Sequence, residues 1–528
     1  MDRPHGQDLL DQAFTRAAGA SLVAGNSVRL LRDAADNYPA WLSAISGAQQ
    51  RICFENFIFH EDSVGATFSD ALIERARAGV EVRLIYDWLG CLGKASKRFW
   101  RPLIAAGVMV RCFNSPRAAH PITWLQRDHR KLLTVDGQIG FITGLCVGKL
   151  WYGNPARGIP PWRDTGVAIQ GPSLGEIENA FAQVWSASDP ARDSSLGPAG
   201  TVNVGAFQPF EPMLQPPART GDVALRVVAT TPGSLAVLRL DQLIAAAASR
   251  TLWLTDAYFA GIPPYIQALR AAALDGVDVR LLVPGASDIA ILRPLSQAGY
   301  RPLLEAGVRV FEWKGSMLHA KTAVADGRWA RVGSSNLNIA SWVGNYELDA
   351  LIEDAGVAAQ LEQMFESDIA LSTEIVLRRE RRRRGAVAGT LLSHGLQRRQ
   401  EDQVLQVPAP QLPSGRGGRR EHGARAGRAA AGALRLGRTV GAALTEQRVL
   451  ATTEARIVAI VAVIALLLAI GVVLWPWLAA VPVALFLTWA SLVLFTRALA
   501  LRRQRQRSGL PAARVERSQV AHPGDPPA

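Results

Sequence analysis

Two short runs carry residue types that can handle a phosphate. His319 and Lys321 open the first, HAKTAVADGRWARVGSSN, which ends at Asn336. In an extended strand residues i and i+2 share a face, so an imidazole and an ammonium address the same volume. Asp326-Gly327 reads as a tight hairpin turn, Trp329 to Val332 as the returning strand, and GSSN as a loop offering hydroxyls, an amide and backbone N–H groups. The second run, HRKLLTVDGQIGFITGLC, repeats this from His129 to Cys146. His129, Lys131 and Asp136 keep the spacing of His319, Lys321 and Asp326, and Cys146 and Asn336 each follow their histidine by seventeen residues. One such pattern is weak, but two copies with matched followers specify a site.

The chemistry these residues suit is displacement at a phosphodiester. One imidazole attacks phosphorus and becomes a phosphohistidine while the other protonates the departing oxygen. Lys131, Lys321, Ser334 and Asn336 would balance charge on the non-bridging oxygens. Only six of the fifty-eight basic residues are lysines, so these two suit a point contact to one phosphate. No His, Asp and Glu cluster has ligand spacing, and the chemistry needs neither metal nor cofactor.

The doubled motif resembles the phospholipase D superfamily. The flanking FENFIFHED near Phe54, WRDTGVAIQGP from Trp162, FEWKGSMLHAK from Phe311 and NYELD from Asn345 are similar to its bacterial cardiolipin synthase branch, over about Gly25 to Leu377. The resemblance implies His129 as nucleophile and His319 as general acid and base, an order the residues themselves leave open. It also implies a downstream carboxylate that fixes a histidine tautomer, which maps onto Glu347 and onto Asp164, although Asp164 also reads as a helix or turn cap. Asp136 and Asp326 belong to the motif and, placed at turns, read as its braces. The family's first motif continues Gly-Gly-x-Asn where this chain has Thr143-Gly144-Leu145-Cys146. Gly144 stays among the phosphate-binding positions, but a thiol donates poorly beside an amide, so binding should lean toward the second half.

The elements that must position these residues repeat as well. TLWLTDAYF from Thr251 echoes RICFENFIF from Arg51, GVDVRLLV from Gly276 echoes GVEVRLIY from Gly79, and EAGVRVF from Glu305 echoes AAGVMVRCF from Ala105. Offsets near 200 residues indicate a duplicated domain rather than a solenoid. Strand and helix patterns alternate, with strands near Ile52–Phe59 and Val80–Tyr86 and helices over Ala66–Ala78, Pro172–Trp185 and Val357–Ala370. The expected fold is α/β, two tandem α/β/α halves with mixed sheets related by a pseudo-twofold axis, spanning 1–190 and 222–377. A Pro-, Gly- and Ser-rich connection, 191–221, joins them.

Composition places the rest. The net charge is +13, yet 378–456 carries seventeen arginines against six acids and 497–528 seven against two, leaving the body slightly acidic. That is no footprint for gripping a nucleic acid, and RGGRR near Arg416 reads as a solvated or lipid-facing linker. Cys53, Cys91, Cys112 and Cys146 form no regular framework and suit a reducing compartment. Met1–Ala24 lacks the pattern of a cleaved signal peptide. After the basic linker 378–453, residues 457–496 hold no charge and are interrupted by Trp475-Pro476-Trp477. Each side is long enough to span a bilayer, so 454–500 reads as a transmembrane hairpin followed by a basic tail, 501–528. Arginines outside both spans put both ends, and the body, on the cytoplasmic side of a bacterial inner membrane.

The expected function is transfer of a phosphatidyl group between phosphatidylglycerol molecules to give cardiolipin, with phospholipid and membrane as the partners and no nucleic acid. The alternatives are a phospholipase D releasing phosphatidic acid, a nuclease of the superfamily, and a lipid-binding pseudoenzyme. The apolar text around Trp151 and Pro160-Pro161-Trp162 reads as a lipid entrance or as core.

Overall fold

Fifteen strands join in one mixed sheet. The first half supplies β1 (Val23–Arg32), β2 (Arg51–Asn56), β3 (Glu81–Asp87), β4 (Met109–Phe113), β5 (Lys131–Val135), β6 (Ile139–Thr143) and β7 (Thr165–Gln170). The second supplies β8 (Val223–Thr230), β9 (Thr251–Thr255), β10 (Asp278–Pro284), β11 (Arg309–Trp313), β12 (Thr322–Ala325), β13 (Trp329–Gly333), β14 (Glu347–Glu353) and β15 (Ser372–Ile375). These come from a computed structural model that describes residues 5–115, 126–188, 210–212, 217–289 and 292–377, with 488, 489 and 491.

From the junction of β1 with β8 the sheet runs outward as β7, β6, β5, β2, β3, β4 on one side and β14, β13, β12, β9, β10, β11 on the other. The two series match strand for strand, and β15 adds one antiparallel strand beyond β11. Pairs β2–β3, β3–β4, β9–β10 and β10–β11 are parallel, as helical crossovers between them require, while the hairpins β5–β6 and β12–β13 are antiparallel. Asn26 stitches the antiparallel β1–β8 junction, donating from its amide to Val23 O at 2.8 Å and Val223 O at 3.2 Å.

One face of the sheet is common property. Ile177, Phe181 and Trp185 of the helix Leu174–Ala187 share a single apolar cluster with Val357, Leu361 and Phe365 of the helix Ala355–Ala370, and with strand residues of both halves. The opposite face is divided, one cluster around Trp41, Phe68 and Leu103 and another around Leu240, Leu269 and Leu303. With apolar layers on both sides, β5 and β13 are buried at every position, the pattern of sandwiched rather than half-wet strands. Asp62 caps the helix Ser63–Arg77, accepting from the N–H groups of Val64 and Gly65, and Asp354 caps the helix Ala355–Ala370, accepting from that of Val357.

Most of the 191–221 connection lies outside the described residues, but Phe210 within it is packed against Phe181 at 5.2 Å. No helix among the described residues is long and apolar enough to cross a membrane. The expected hairpin, 454–500, lies outside them except for 488, 489 and 491, as do the basic segments 378–453 and 501–528.

Candidate active site

Backbone hydrogen bonds cross between the halves at the start of each motif hairpin. His129 N donates to Tyr346 O at 2.9 Å and Tyr346 N to Arg127 O at 2.8 Å, while His319 N donates to Arg163 O at 2.7 Å and Arg163 N to Met317 O at 2.9 Å. These two short bridges set each histidine beside the residue that follows the bridge in the other half. Thus Glu347, at the head of β14, meets His129 Nδ1 at 2.9 Å, and Asp164, just before β7, meets His319 Nδ1 at 2.6 Å. Each half supplies the carboxylate that holds the other half's imidazole.

Both carboxylates are completely buried and ionised. Burial alone would raise them, but for Asp164 the His319 ring and Lys321 outweigh it, and for Glu347 the His129 ring, Lys131 and Ser334 do, so both lie below the usual carboxylate range. The imidazoles go the other way. Burial, reinforced by Lys321, pushes His319 down to about 3, and burial also lowers His129. Both rings are therefore mainly neutral at pH 7. With Nδ1 donating to a carboxylate, Nε2 of each ring is left as the bare, nucleophilic nitrogen.

The lysines stand where the i, i+2 spacing puts them. Lys131 Nζ donates to His129 O at 2.6 Å; Lys321 Nζ donates to His319 O and lies 3.0 Å from His319 Nδ1. Burial brings Lys321 down to about 8, which leaves it mostly charged at pH 7. Lys321 bears electrostatically on His129 and Lys131 on His319.

The loop residues divide. Ser334 Oγ donates to Glu347 Oε2 at 2.6 Å and accepts from Leu348 N at 2.9 Å, so it supports the carboxylate rather than presenting a hydroxyl to phosphate. Gly144 holds the matching place in the first motif, and a methyl there would fall inside contact distance of Asp164 Oδ1. Asn336 is buried with its Oδ1 unpartnered among the described residues. Cys146, its counterpart, is buried too; burial raises its thiol, and Tyr38 donates to its carbonyl at 2.6 Å. A protonated thiol supplies no carboxamide-like donor there.

Asp136 and Asp326 do not belong with the reacting groups. Seven positions beyond its histidine along an extended run, each sits roughly 20 Å away at about 3.3 Å per residue. Asp136 accepts from the backbone N–H groups of Gln49, Gln50 and Arg51 at 2.7, 2.8 and 2.7 Å. Asp326 accepts from those of Ser249, Arg250 and Thr251, its nearest oxygen at 2.9, 2.7 and 3.0 Å. Both adopt positive φ, 53° and 55°, at the turn. They tie each motif hairpin to the strand beside it.

Several residues with a part in the site are invisible to motif reading. The His129 ring lies edge-on to Phe57 at 4.8 Å, and His319 is walled by Trp151 at 5.5 Å, Trp162 at 5.6 Å and Tyr258 at 5.8 Å. Trp151 is therefore core and active-site wall together. Asn56 pairs with Lys131 across β2–β5, which puts both side chains on one face, and its amide has no partner among the described residues. Arg130 donates to Glu347 O, Ala180 O and Thr230 O at 3.1, 2.7 and 2.8 Å. Arg163 joins Asp368 and Asp33. The only signal for the two arginines was adjacency, one beside His129 and the other beside Asp164.

Comparison with known proteins agrees with this geometry. The family model described as "Cardiolipin synthase, PLD-like domain" matches residues 41–147 and 240–369, one segment per half. Cardiolipin synthase A of Pseudomonas aeruginosa is 33% identical over 370 residues, covering 69% of this chain and 71% of that protein. Cardiolipin synthase 1 of Bacillus anthracis is 30% identical over 372 residues, with coverage of 69% and 71%. Among solved structures, phosphatidylserine synthase of Haemophilus influenzae superposes with a TM-score of 0.55 at 15% identity, covering 70% of this chain and 92% of that one, a likeness of fold. The chain belongs to the phospholipase D superfamily, in its cardiolipin synthase branch.

Proposed function

We propose that this protein is a membrane-bound phosphatidyltransferase that makes cardiolipin from two molecules of phosphatidylglycerol. The observation that carries the reading is the crossed pairing of His129 with Glu347 and His319 with Asp164, which leaves each imidazole with a bare nitrogen and a lysine beside it. The donor's phosphate lies between the rings. Nε2 of His129 attacks phosphorus, the bond to the glycerol headgroup breaks, and His319, charged once the anion is bound, gives that oxygen its proton. Glycerol leaves. The free hydroxyl of the second phosphatidylglycerol then yields its proton to His319 and attacks the phosphohistidine, releasing His129 and forming cardiolipin. Lys131, Lys321, Asn336 and Asn56 balance the non-bridging oxygens through both steps.

The duplicated strand order supports reading the body as two halves about a pseudo-twofold axis, with one histidine from each. The uncharged stretch 457–496 supports a two-span anchor, and its flanking arginines a body at the cytoplasmic face of the inner membrane. The test uses the purified full chain in micelles of phosphatidylglycerol alone. Cardiolipin and free glycerol should appear in equal amounts, and His319→Ala should form neither. Phosphatidic acid as the main product would replace transfer with hydrolysis.

A further inference from the structure

A cavity of about 550 Å³ opens in the first half, lined by Tyr38, Leu42, Val64, Phe68, Lys149 and Tyr152. Its volume falls within the roughly 300–1,000 Å³ of small-molecule sites. At the matching place in the second half stands a buried aromatic. Counting from the two histidines, Tyr152 corresponds to Trp342. Trp342 is turned inward, 2% exposed, with its ring edge-on to Tyr265 at 5.3 Å and its indole N–H donating to Asp241 at 3.2 Å. Tyr152 is 48% exposed and only stacks on Tyr38 at 6.3 Å. What the second half fills with its own indole, the first half leaves open.

The cavity is joined to the reaction centre through one turn of chain. Lys149, Leu150, Trp151 and Tyr152 form a single short helix. Lys149 and Tyr152 line the cavity, whereas Trp151 faces the other way, edge-on to His319 at 5.5 Å. Lys149 N donates to Asp62 Oδ2 at 2.8 Å, which fixes this turn on the cap of the helix Ser63–Arg77. The exposed Lys149 therefore stands at the mouth of a mainly apolar slot, with exposed Leu150 and Ile159 nearby in sequence. A cation at the lip and hydrocarbon-compatible walls behind it complement a molecule that is anionic at one end and apolar at the other.

We infer that this cavity takes one acyl chain of the phosphatidyl donor, with Lys149 near the lipid's polar end, so that the first half holds the tail and the filled second half is left to the acceptor. The inference rests on the phosphatidyltransferase reading and adds a tail subsite to it. Burial of a chain is non-directional and grows with each methylene removed from water, so the subsite should discriminate by chain length rather than by headgroup.

The experiment uses the full chain and three substrates: dioleoyl phosphatidylglycerol, dihexanoyl phosphatidylglycerol below its micellar concentration, and bis(p-nitrophenyl) phosphate, which has no tail. Leu42→Trp, which fills the slot as Trp342 fills its counterpart, should lower kcat/KM for the dioleoyl lipid roughly tenfold. The dihexanoyl lipid should change less and the tail-less diester not at all. Loss of activity toward the long lipid without loss toward the tail-less one supports the subsite; an unchanged long-chain value overturns it. Should all three fall together, photolabelling decides. Phosphatidylglycerol with a mid-chain diazirine, added to the His319→Ala chain, should label peptides containing residues 38–42, 64–68 or 149–152. Label confined to 457–496 would mean that the tail stays in the bilayer and would overturn the inference. If the wild-type chain makes no cardiolipin, the transferase reading fails, and the same label map still decides the cavity.

Discussion

The two halves solve one problem with different parts. Holding His129 is the work of Glu347, whose own position is wired by side chains: Ser334 donates to Oε2 at 2.6 Å and Asn345 to Oε1 at 3.0 Å. Holding His319 is the work of Asp164, one methylene shorter and wired by backbone, with Thr165 N donating to Oδ1 at 2.9 Å and its own N–H donating to Asp33 at 2.8 Å. Where the longer acid meets a serine, the shorter one meets Gly144, which leaves space for the carboxylate to lie against the chain. Serine with glutamate and glycine with aspartate are two matched sets. Duplication preserved a carboxylate beside each imidazole and let the means of supporting it drift.

The largest effects should come from the crossed pairs themselves. His129→Ala and His319→Ala should each lower transfer at least about 10⁴-fold, and the double variant should be no worse than either single one, because the groups act as a unit. Glu347→Gln and Asp164→Asn keep the shape but no longer fix the tautomer, so each should cost about 10²- to 10⁴-fold in kcat with little change in KM. Acid quench of each single histidine variant after mixing with labelled phosphatidylglycerol separates the roles. Label on His129 in the His319→Ala chain agrees with His129 as nucleophile, and label on His319 in the His129→Ala chain reverses the order.

The next contrast breaks the matched sets. A methyl at Gly144 drives Asp164 from His319, so Gly144→Ala should reduce kcat by roughly 10²-fold, within the range for a misplaced catalytic group. Ser334→Ala removes one of the two side-chain donors that Glu347 has besides His129 and should cost only about tenfold, the worth of one charge-assisted hydrogen bond. Equal losses in the two variants would show that the supports are equivalent after all. A smaller contrast concerns the phosphate loop: Asn336→Cys should raise KM or lower kcat by about tenfold, while Cys146→Asn should gain at most a few-fold, since a buried thiol already contributes little.

Much of this was legible in the chain because strands repeat with period two and duplication repeats with a fixed offset. The His-x-Lys pairs and the echoing strands could be named from spacing, the two carboxylates from the family resemblance, and helices such as Leu174–Ala187 from their apolar stripe. What spacing does not encode is partnership. Glu347 is 218 residues from His129 and Asp164 is 155 from His319, and only the meeting of β1 with β8 decides that the pairing is crossed. The aromatic walls were hidden for the same reason: Phe57 and Tyr258 flank the two rings from positions that do not correspond in the repeat. Asp136 and Asp326 could be read as braces from their turn positions, because an extended strand turns a fixed sequence interval into distance from the histidine.

The smallest effect on catalysis should therefore come from the two most regular members of the motif. Asp136→Ala and Asp326→Ala each remove a carboxylate that accepts three backbone N–H groups, and each places an alanine at positive φ. Each should destabilise the body by about 2–4 kcal/mol, the sum of unsatisfied donors and a left-handed alanine, with kcat within about twofold of wild type at a temperature where the chain stays folded. The pH dependence has a definite sign at Asp326. Burial raises its carboxyl, but the N–H groups of Thr251, Arg250 and Ser249 outweigh it and hold it below 3.8. A depressed acid stabilises the folded state fully above its unfolded pKa and loses that contribution as pH falls through the folded one. Melting temperatures of wild type and Asp326→Ala should therefore differ most near neutrality, and the gap should narrow as pH falls below the ordinary aspartate range and through the depressed pKa of the folded carboxyl. A constant gap down to pH 2 would mean that the turn is held by shape alone, and a fall in kcat beyond the fall in stability would place these aspartates among the reacting groups.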